Sequence, residues 1–241
     1  MARVHMTLQG KGGVGKSFIA AMIAQYLKGK GGNPICVDTD PVNATFHGYK
    51  SLGVRRLDIM HQDEIDTRRF DELVEIIAGA SEDVVIDNGA NAFVPLSNYL
   101  LSNGVPAMLH DMQRELVVHS VVTGGQAMID TLSNFGLIVK QFEAATIVVW
   151  ENPFWGTVEM DGKSFEQMKV FTGNRDRISA VIRVPVLKGE TFGRDLSELL
   201  QRRQTFDEAL APDSGLPIMV RQRLKQIQRD LFAQMEAARV L

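Results

Sequence analysis

Cysteine is almost absent from this chain: Cys36 is the only one among 241 residues. That excludes an internal disulfide, and it excludes a four-thiolate zinc or iron–sulfur centre built by one subunit. No apolar run approaches the roughly 18 residues that a spanning helix needs. The first residues, MARVHMTLQG, contain no apolar signal-peptide core. A reducing cytoplasm is therefore the expected setting. The five histidines, His5, His47, His61, His110 and His119, never fall at H-x-x-x-H spacing, so none reads as a metal ligand. A formal net charge of −3 gives no global reason to expect nucleic-acid binding. What is present, 45% hydrophobic and 23% charged residues, is the make-up of an ordinary globular protein, and the length suits one α/β domain.

The apolar pattern alternates between short runs and helical stripes. Arg3 to Leu8 reads as a strand ended by Gly10. From Lys16 to Leu27, Ile19, Met22, Ile23, Tyr26 and Leu27 recur at helical spacing, and the cluster Gly29-Lys30-Gly31-Gly32 ends the helix. Ile35 to Val37 and Val84 to Ile86 read as strands, with a helix marked by Phe70, Leu73, Val74, Ile76 and Ile77 between them. Val105 to Leu109 and Thr146 to Trp150 are continuous apolar runs of the kind buried parallel strands show. A long stripe over Gln126 to Phe142 separates these two, with Gly124-Gly125 read as the turn into it. Ser179 to Val184 is a last strand; Leu196 to Arg203 and Pro217 onward read as helices. Alternating βα units predict a mostly parallel sheet covered by helices on both faces, with the ligand at the carboxyl ends of the strands.

Gly10-Lys11-Gly12-Gly13-Val14-Gly15-Lys16-Ser17 satisfies G-x-x-x-x-G-K-[ST] between the first strand and the first helix. The glycines let successive backbone N–H groups converge on phosphate oxygens, and the following helix presents its positive end to the same anion. Lys16 brings a cation to the outer phosphates and Ser17 a hydroxyl to Mg²⁺. This loop, with Gly12, Gly13, Val14, Gly15, Lys16 and Ser17 as cofactor-binding residues, predicts a P-loop NTPase fold. Val37-Asp38-Thr39-Asp40-Pro41 ends the second strand in two carboxylates, and Asp83-Val84-Val85-Ile86-Asp87 ends the third in one. Strand ends beside a phosphate loop are where magnesium and water need acidic oxygens.

Lys11 is an extra lysine inside the loop, and with it the run resembles the deviant Walker A box of the ParA/MinD superfamily. The resemblance implies an ATPase that dimerises around Mg²⁺ and ATP. Lys11 would reach the partner's phosphates in trans, Lys16 would act in cis, and Asp40 would orient the attacking water. Asp38, Asp87 and Ser17 would serve the metal. The superfamily usually has a proline in the loop after the third strand, whereas this chain reads Asp87-Asn88-Gly89-Ala90-Asn91. An asparagine just past a strand end can read adenine by paired donor and acceptor contacts. The superfamily places one at a position comparable to Asn152, and its "Ile-Pro" loop resembles Arg183-Val184-Pro185-Val186, which makes Asn152 and Pro185 base-pocket candidates. No Asn-Lys-x-Asp motif is present, so ATP is expected over GTP.

Within the superfamily, Val118 to Ala127 together with Asn152-Pro153-Phe154-Trp155-Gly156 resembles the TraL-type conjugal-transfer proteins of plasmids, which implies a role in DNA transfer beside a conjugation or partition partner. Two relatives of other activity fit less well: a reductase would need paired cysteines, and a tyrosine kinase a tyrosine-rich tail, while Tyr26, Tyr49 and Tyr99 all lie in the first half. A nucleotide-bound interaction module and a small-molecule kinase remain as alternatives. Residues 153–165 form a polar insertion whose aromatics serve either as a contact surface or as a cover for the sheet. The amphipathic segment from Leu216 to Leu241 carries five basic residues against two acidic ones. It reads first as a core helix, and second as a contact to DNA phosphates or to the inner membrane.

Overall fold

In the computed structural model, residues 2–240 are described. Strand β1 (Arg3–Leu8) leads through the glycine-rich loop into helix α1 (Lys16–Gly29), followed by β2 (Ile35–Asp38) and β3 (Arg55–Arg56). A small hairpin of β4 (Met60–His61) and β5 (Glu64–Ile65) precedes α2 (Arg69–Gly79) and β6 (Val84–Asp87). Next come α3 (Phe93–Ser102), α4 (Val105–Asp111), β7 (Glu115–Thr123), α5 (Met128–Gln141) and β8 (Thr146–Asn152). A second hairpin, β9 (Glu159–Met160) with β10 (Lys163–Ser164), and the short α6 (Lys169–Thr172) lead to β11 (Ile178–Arg183). Helices α7 (Arg194–Gln201), α8 (Phe206–Leu210) and α9 (Ile218–Ala238) close the chain.

Seven strands form one parallel sheet in the order β11-β8-β7-β1-β6-β2-β3. The chain sets β2 and β3 on one side of β1, returns to insert β6 between β1 and β2, and then builds β7, β8 and β11 outward on the other side. The topological switch point therefore lies at β1, where an open α/β sheet binds its ligand. Two apolar layers cover the sheet. On one face Met6, Ile86, Val118 and Val149 meet Phe70, Leu96, Phe135 and Ile138. On the other, Val85, Val121, Val148 and Trp150 meet Ile19 and Ile23 of α1 and Leu224, Ile227 and Leu231 of α9. From Leu224 to Met235 the apolar stripe of α9 is thus buried in the second layer, while Ile218 and Met219 at its start are exposed, and Tyr26 of α1 stands edge-on to Phe232.

One expected strand is a helix. Val105 to Leu109 begins α4 because Gly104, with φ of 62°, caps it in the left-handed conformation and Pro106 occupies its first turn, where a missing N–H costs nothing. The strand beside β1 is β7 instead. Its apolar run is broken by His119 and Ser120, both buried, so it does not read as a continuous hydrophobic strand.

His119 is there because its two ring nitrogens are satisfied inside the sheet. Trp150 Nε1 donates to His119 Nδ1 at 3.0 Å, and His119 Nε2 lies 3.1 Å from His5 Nδ1. An indole N–H can only donate, so His119 carries its proton on Nε2 and gives it to His5 Nδ1. His5 must then carry its own proton on Nε2, which is buried without an acceptor. Three central strands are stitched by this row: β1, β7 and β8.

Candidate functional site: the loop after β1

The glycine-rich loop takes its shape from positive backbone angles: φ is +73° at Gly13 and +103° at Gly15. At Gly15 a side chain is excluded twice, since a Cβ would also lie 2.7 Å from Asn152 Nδ2. Gly15 caps α1, whose first turn has no acidic residue, so the helix's positive end is left for an anion. A cavity of about 530 Å³ opens in front of it, lined by Gly12, Gly13, Gly15, Lys16, Ser17, Asp40, Tyr49 and Asn91 among others.

Lys16 is nearly buried, and its Nζ donates to Lys11 O at 2.9 Å, bridging the two ends of the loop. Burial lowers its pKa, while Asp87 and Asp40 pull it upward. Asp87, at the end of β6, accepts from the Thr7 hydroxyl at 2.9 Å through Oδ1, while its buried Oδ2 has no partner. Burial foremost, and the neighbouring Asp38 charge, push the Asp87 carboxyl up to about 7 against the pull of nearby Ser17, of the Thr7 hydroxyl bonded to Oδ1, and of Lys16. An orphaned carboxylate oxygen beside a serine and a cation is a donor set that fits magnesium held with a phosphate. Ser17 and Asp87 are the residues that would hold the ion, which when bound would neutralise phosphate charge.

The other predicted residues divide. Asp40 lines the cavity, and its Oδ1 accepts from Val42 N and Asn43 N, both at 2.9 Å, so the carboxylate also shapes its own turn. Gly89 makes room for it: a Cβ there would lie 2.9 Å from the Asp40 carboxylate. The glycine after β6 therefore admits a side chain from the neighbouring loop. Asp38 does not line the cavity. Its Oδ1 accepts from Asp40 N at 2.9 Å and its Oδ2 from His47 N at 2.8 Å. Both oxygens hold the segment from 38 to 47 in place, and burial raises the pKa despite those bonds.

Lys11 does not line the cavity either. Its Nζ pairs with Asp130 of α5 at 2.7 Å in an exposed ion pair. Asn152 is 7% exposed with its amide taken up by the protein: Nδ2 donates to Val14 O at 2.9 Å and Oδ1 accepts from Phe154 N at 3.2 Å. In this arrangement one N–H and one lone pair of the amide brace the loop. Pro185 lies away from the phosphate cavity, in a separate groove with Val186, Leu187 and Phe192.

Four participants escaped the sequence reading. Gln9 is buried and donates to Val121 O at 2.7 Å while accepting from Asn134 at 2.6 Å, tying the loop's entry to β7 and α5. Tyr49 enters the cavity wall from the turn after β2. Asp130 and Trp155 reach the loop from beyond residue 125. The aromatics of the polar insertion divide between core and surface. Val158 and Phe165 are buried over α5, while Phe154 and Trp155 remain 74% and 55% exposed.

A parallel sheet switching at β1, with a glycine-rich phosphate loop on a helix N-terminus and an acidic strand end beside it, defines a P-loop nucleotide-binding domain. The CobQ/CobB/MinD/ParA nucleotide-binding domain matches residues 5–209, and the chain belongs to that family. Two Escherichia coli proteins, each called Protein TraL, are 64% and 63% identical to it over 242 residues, covering all of this chain and all of each relative. The MinD cell division protein of Aquifex aeolicus shares the fold, with a TM-score of 0.53 at 18% identity over 96% of this chain and 97% of that one.

Proposed function

We propose that the chain is a Mg²⁺–ATP switch of plasmid conjugal DNA transfer: two copies close around ATP, Lys11 of each reaches the other's phosphates, and slow hydrolysis with Asp40 orienting the water releases them. The observation that carries this is the placement of Lys11. It stands on the phosphate loop but outside the cavity, held by one exposed ion pair with Asp130. Such pairs are worth about 0.2–1 kcal/mol, so Lys11 exchanges Asp130 for a phosphate at little cost. Full-length identity to the two TraL proteins supports the conjugal setting, with a transfer or partition protein as partner. Because the apolar stripe of α9 is buried from Leu224 to Met235, any contact of that helix with DNA or lipid phosphates falls to exposed basic residues such as Lys225 and Arg229.

Solution mass by light scattering with Mg²⁺–ATP, with ADP and without nucleotide tests the switch. Mass is expected to double with ATP alone, to stay monomeric in Lys11→Ala, and to stay dimeric for longer in Asp40→Asn. Asparagine is chosen because its side-chain oxygen still accepts from Val42 and Asn43. A mass indifferent to nucleotide, or to Lys11, would sink the proposal.

A second reading, a nucleotide-bound interaction module with little turnover, is favoured by the loop after β6, which lacks the usual proline, and by the engagement of Asp40 in its own turn. ATP hydrolysis that stays at background with DNA, lipid and partner present would select it. Phosphoryl transfer to an added metabolite would instead select a small-molecule kinase.

A further inference from the structure

The turn after β8 grips the phosphate loop from behind. Trp155 Nε1 donates to Gly13 O at 3.1 Å, and Asn152 Nδ2 donates to Val14 O at 2.9 Å. These are consecutive carbonyls. In a trans peptide the C=O of one residue and the N–H of the next point in opposite directions. Anchoring the carbonyls of Gly13 and Val14 therefore aims the N–H groups of Val14 and Gly15 away from the turn. Among the described residues neither N–H has an acceptor. Gly13 and Gly15 line the cavity.

The turn is itself seated. Gly124 and Gly125, at the end of β7, pack against its backbone so closely that a Cβ on Gly124 would lie 2.3 Å from Gly156 O and Thr157 O, and one on Gly125 2.3 Å from Trp155 O. The glycine pair read from sequence as a simple entry to the helix is thus the floor on which the turn rests. Trp155 stands edge-on to Phe154 and keeps half of its surface exposed, so its indole is not there to fill a core.

We propose that Trp155 is a positioning residue for phosphate binding: its indole N–H, together with Asn152, fixes two peptide planes of the loop so that their N–H groups are preorganised for the phosphate oxygens of a nucleotide. This rests on the nucleotide-binding reading above. Preorganised donors do not have to be reordered when the anion arrives, so the gain appears in affinity.

The test uses the full chain and displacement of a fluorescent ADP analogue, by ADP and by inorganic tripolyphosphate, which has phosphates and no base. Trp155→Phe keeps an aromatic ring on the turn and loses the N–H donor. It is expected to weaken both competitors to the same degree, roughly three- to tenfold, the size of one lost hydrogen bond. The melting temperature without ligand should stay within the error of wild type. Gly124→Ala, whose φ of −79° tolerates alanine, should reproduce the effect by lifting the turn. Weakening of ADP with no change for tripolyphosphate would assign the indole to the base and overturn the proposal. So would equal affinities in Trp155→Phe and wild type, or a wild type that ignores millimolar tripolyphosphate while binding ADP. A wild type that fails to bind the ADP analogue would overturn the nucleotide reading itself.

Discussion

Lys16→Met is expected to weaken binding of Mg²⁺–ADP by about 100-fold, roughly 2.7 kcal/mol, because it removes a charge-assisted donor from the wall of the phosphate cavity. Methionine keeps the length of the methylene stem and leaves no void. The same substitution is expected to leave the ligand-free melting temperature unchanged or slightly raised. Burial penalises the charged amine, as the lowering of its pKa indicates, and the bond it loses to Lys11 O is a single one inside a loop. Loss of binding without loss of stability separates a ligand-contacting lysine from one that merely props the loop. Titration calorimetry with Mg²⁺–ADP, paired with a thermal melt, decides it. An affinity within threefold of wild type would remove Lys16 from the site, and with it the reading of residues 10–17 as a phosphate cradle.

Local chemistry made most of that cradle legible in the sequence. The strand before it, the helix after it, and the acids at the ends of β2 and β6 all announce themselves through apolar runs bounded by glycine or aspartate, because each depends on residues close in the chain. What stayed hidden was long-range. Asp130 reaches Lys11 across 119 positions and Trp155 reaches Gly13 across 142, and no periodicity reports such meetings. The mistaken strand at Val105 to Leu109 has the same origin. An apolar run of five residues suits a helix or a strand equally well. The true neighbour of β1 was masked by His119, a polar residue buried on the strength of partners in β1 and β8. The acid at Asp38 was recognised for its type and its strand end. That each of its oxygens accepts from a backbone N–H, of Asp40 and of His47, follows only from how the loop folds back.

The buried histidine row carries the second large effect, a loss of stability in mild acid. His5 is wholly buried, and desolvation foremost, with the Arg3 charge, lowers its pKa from 6.5 to about 3. His119 is lowered in the same direction by burial and by His5. Between pH 6.5 and 3 the unfolded chain therefore holds a proton on His5 that the native chain does not, so stability is complete above pH 6.5 and falls as the pH drops below it. The slope is about 1.4 kcal/mol per pH unit for each histidine, which amounts to roughly 2 kcal/mol for His5 alone at pH 5. That is a large share of the 5–15 kcal/mol typical of a whole domain, roughly speaking. Asp87 works the other way: its native pKa of about 7 lies above its unfolded value of 3.8, so its contribution is present in acid and lost as the pH rises through neutrality. A comparison removes it. Urea unfolding of wild type and of the His5→Gln/His119→Gln double variant, measured from pH 7.5 to 5, should show wild type losing stability more steeply below pH 6.5. Glutamine at 119 can still accept from Trp150 and donate toward position 5, so the row stays bonded while its titration is gone. Parallel curves for the two proteins would mean that the histidines take up protons in place, and that the row from Trp150 to His5 admits a charge that its burial should exclude.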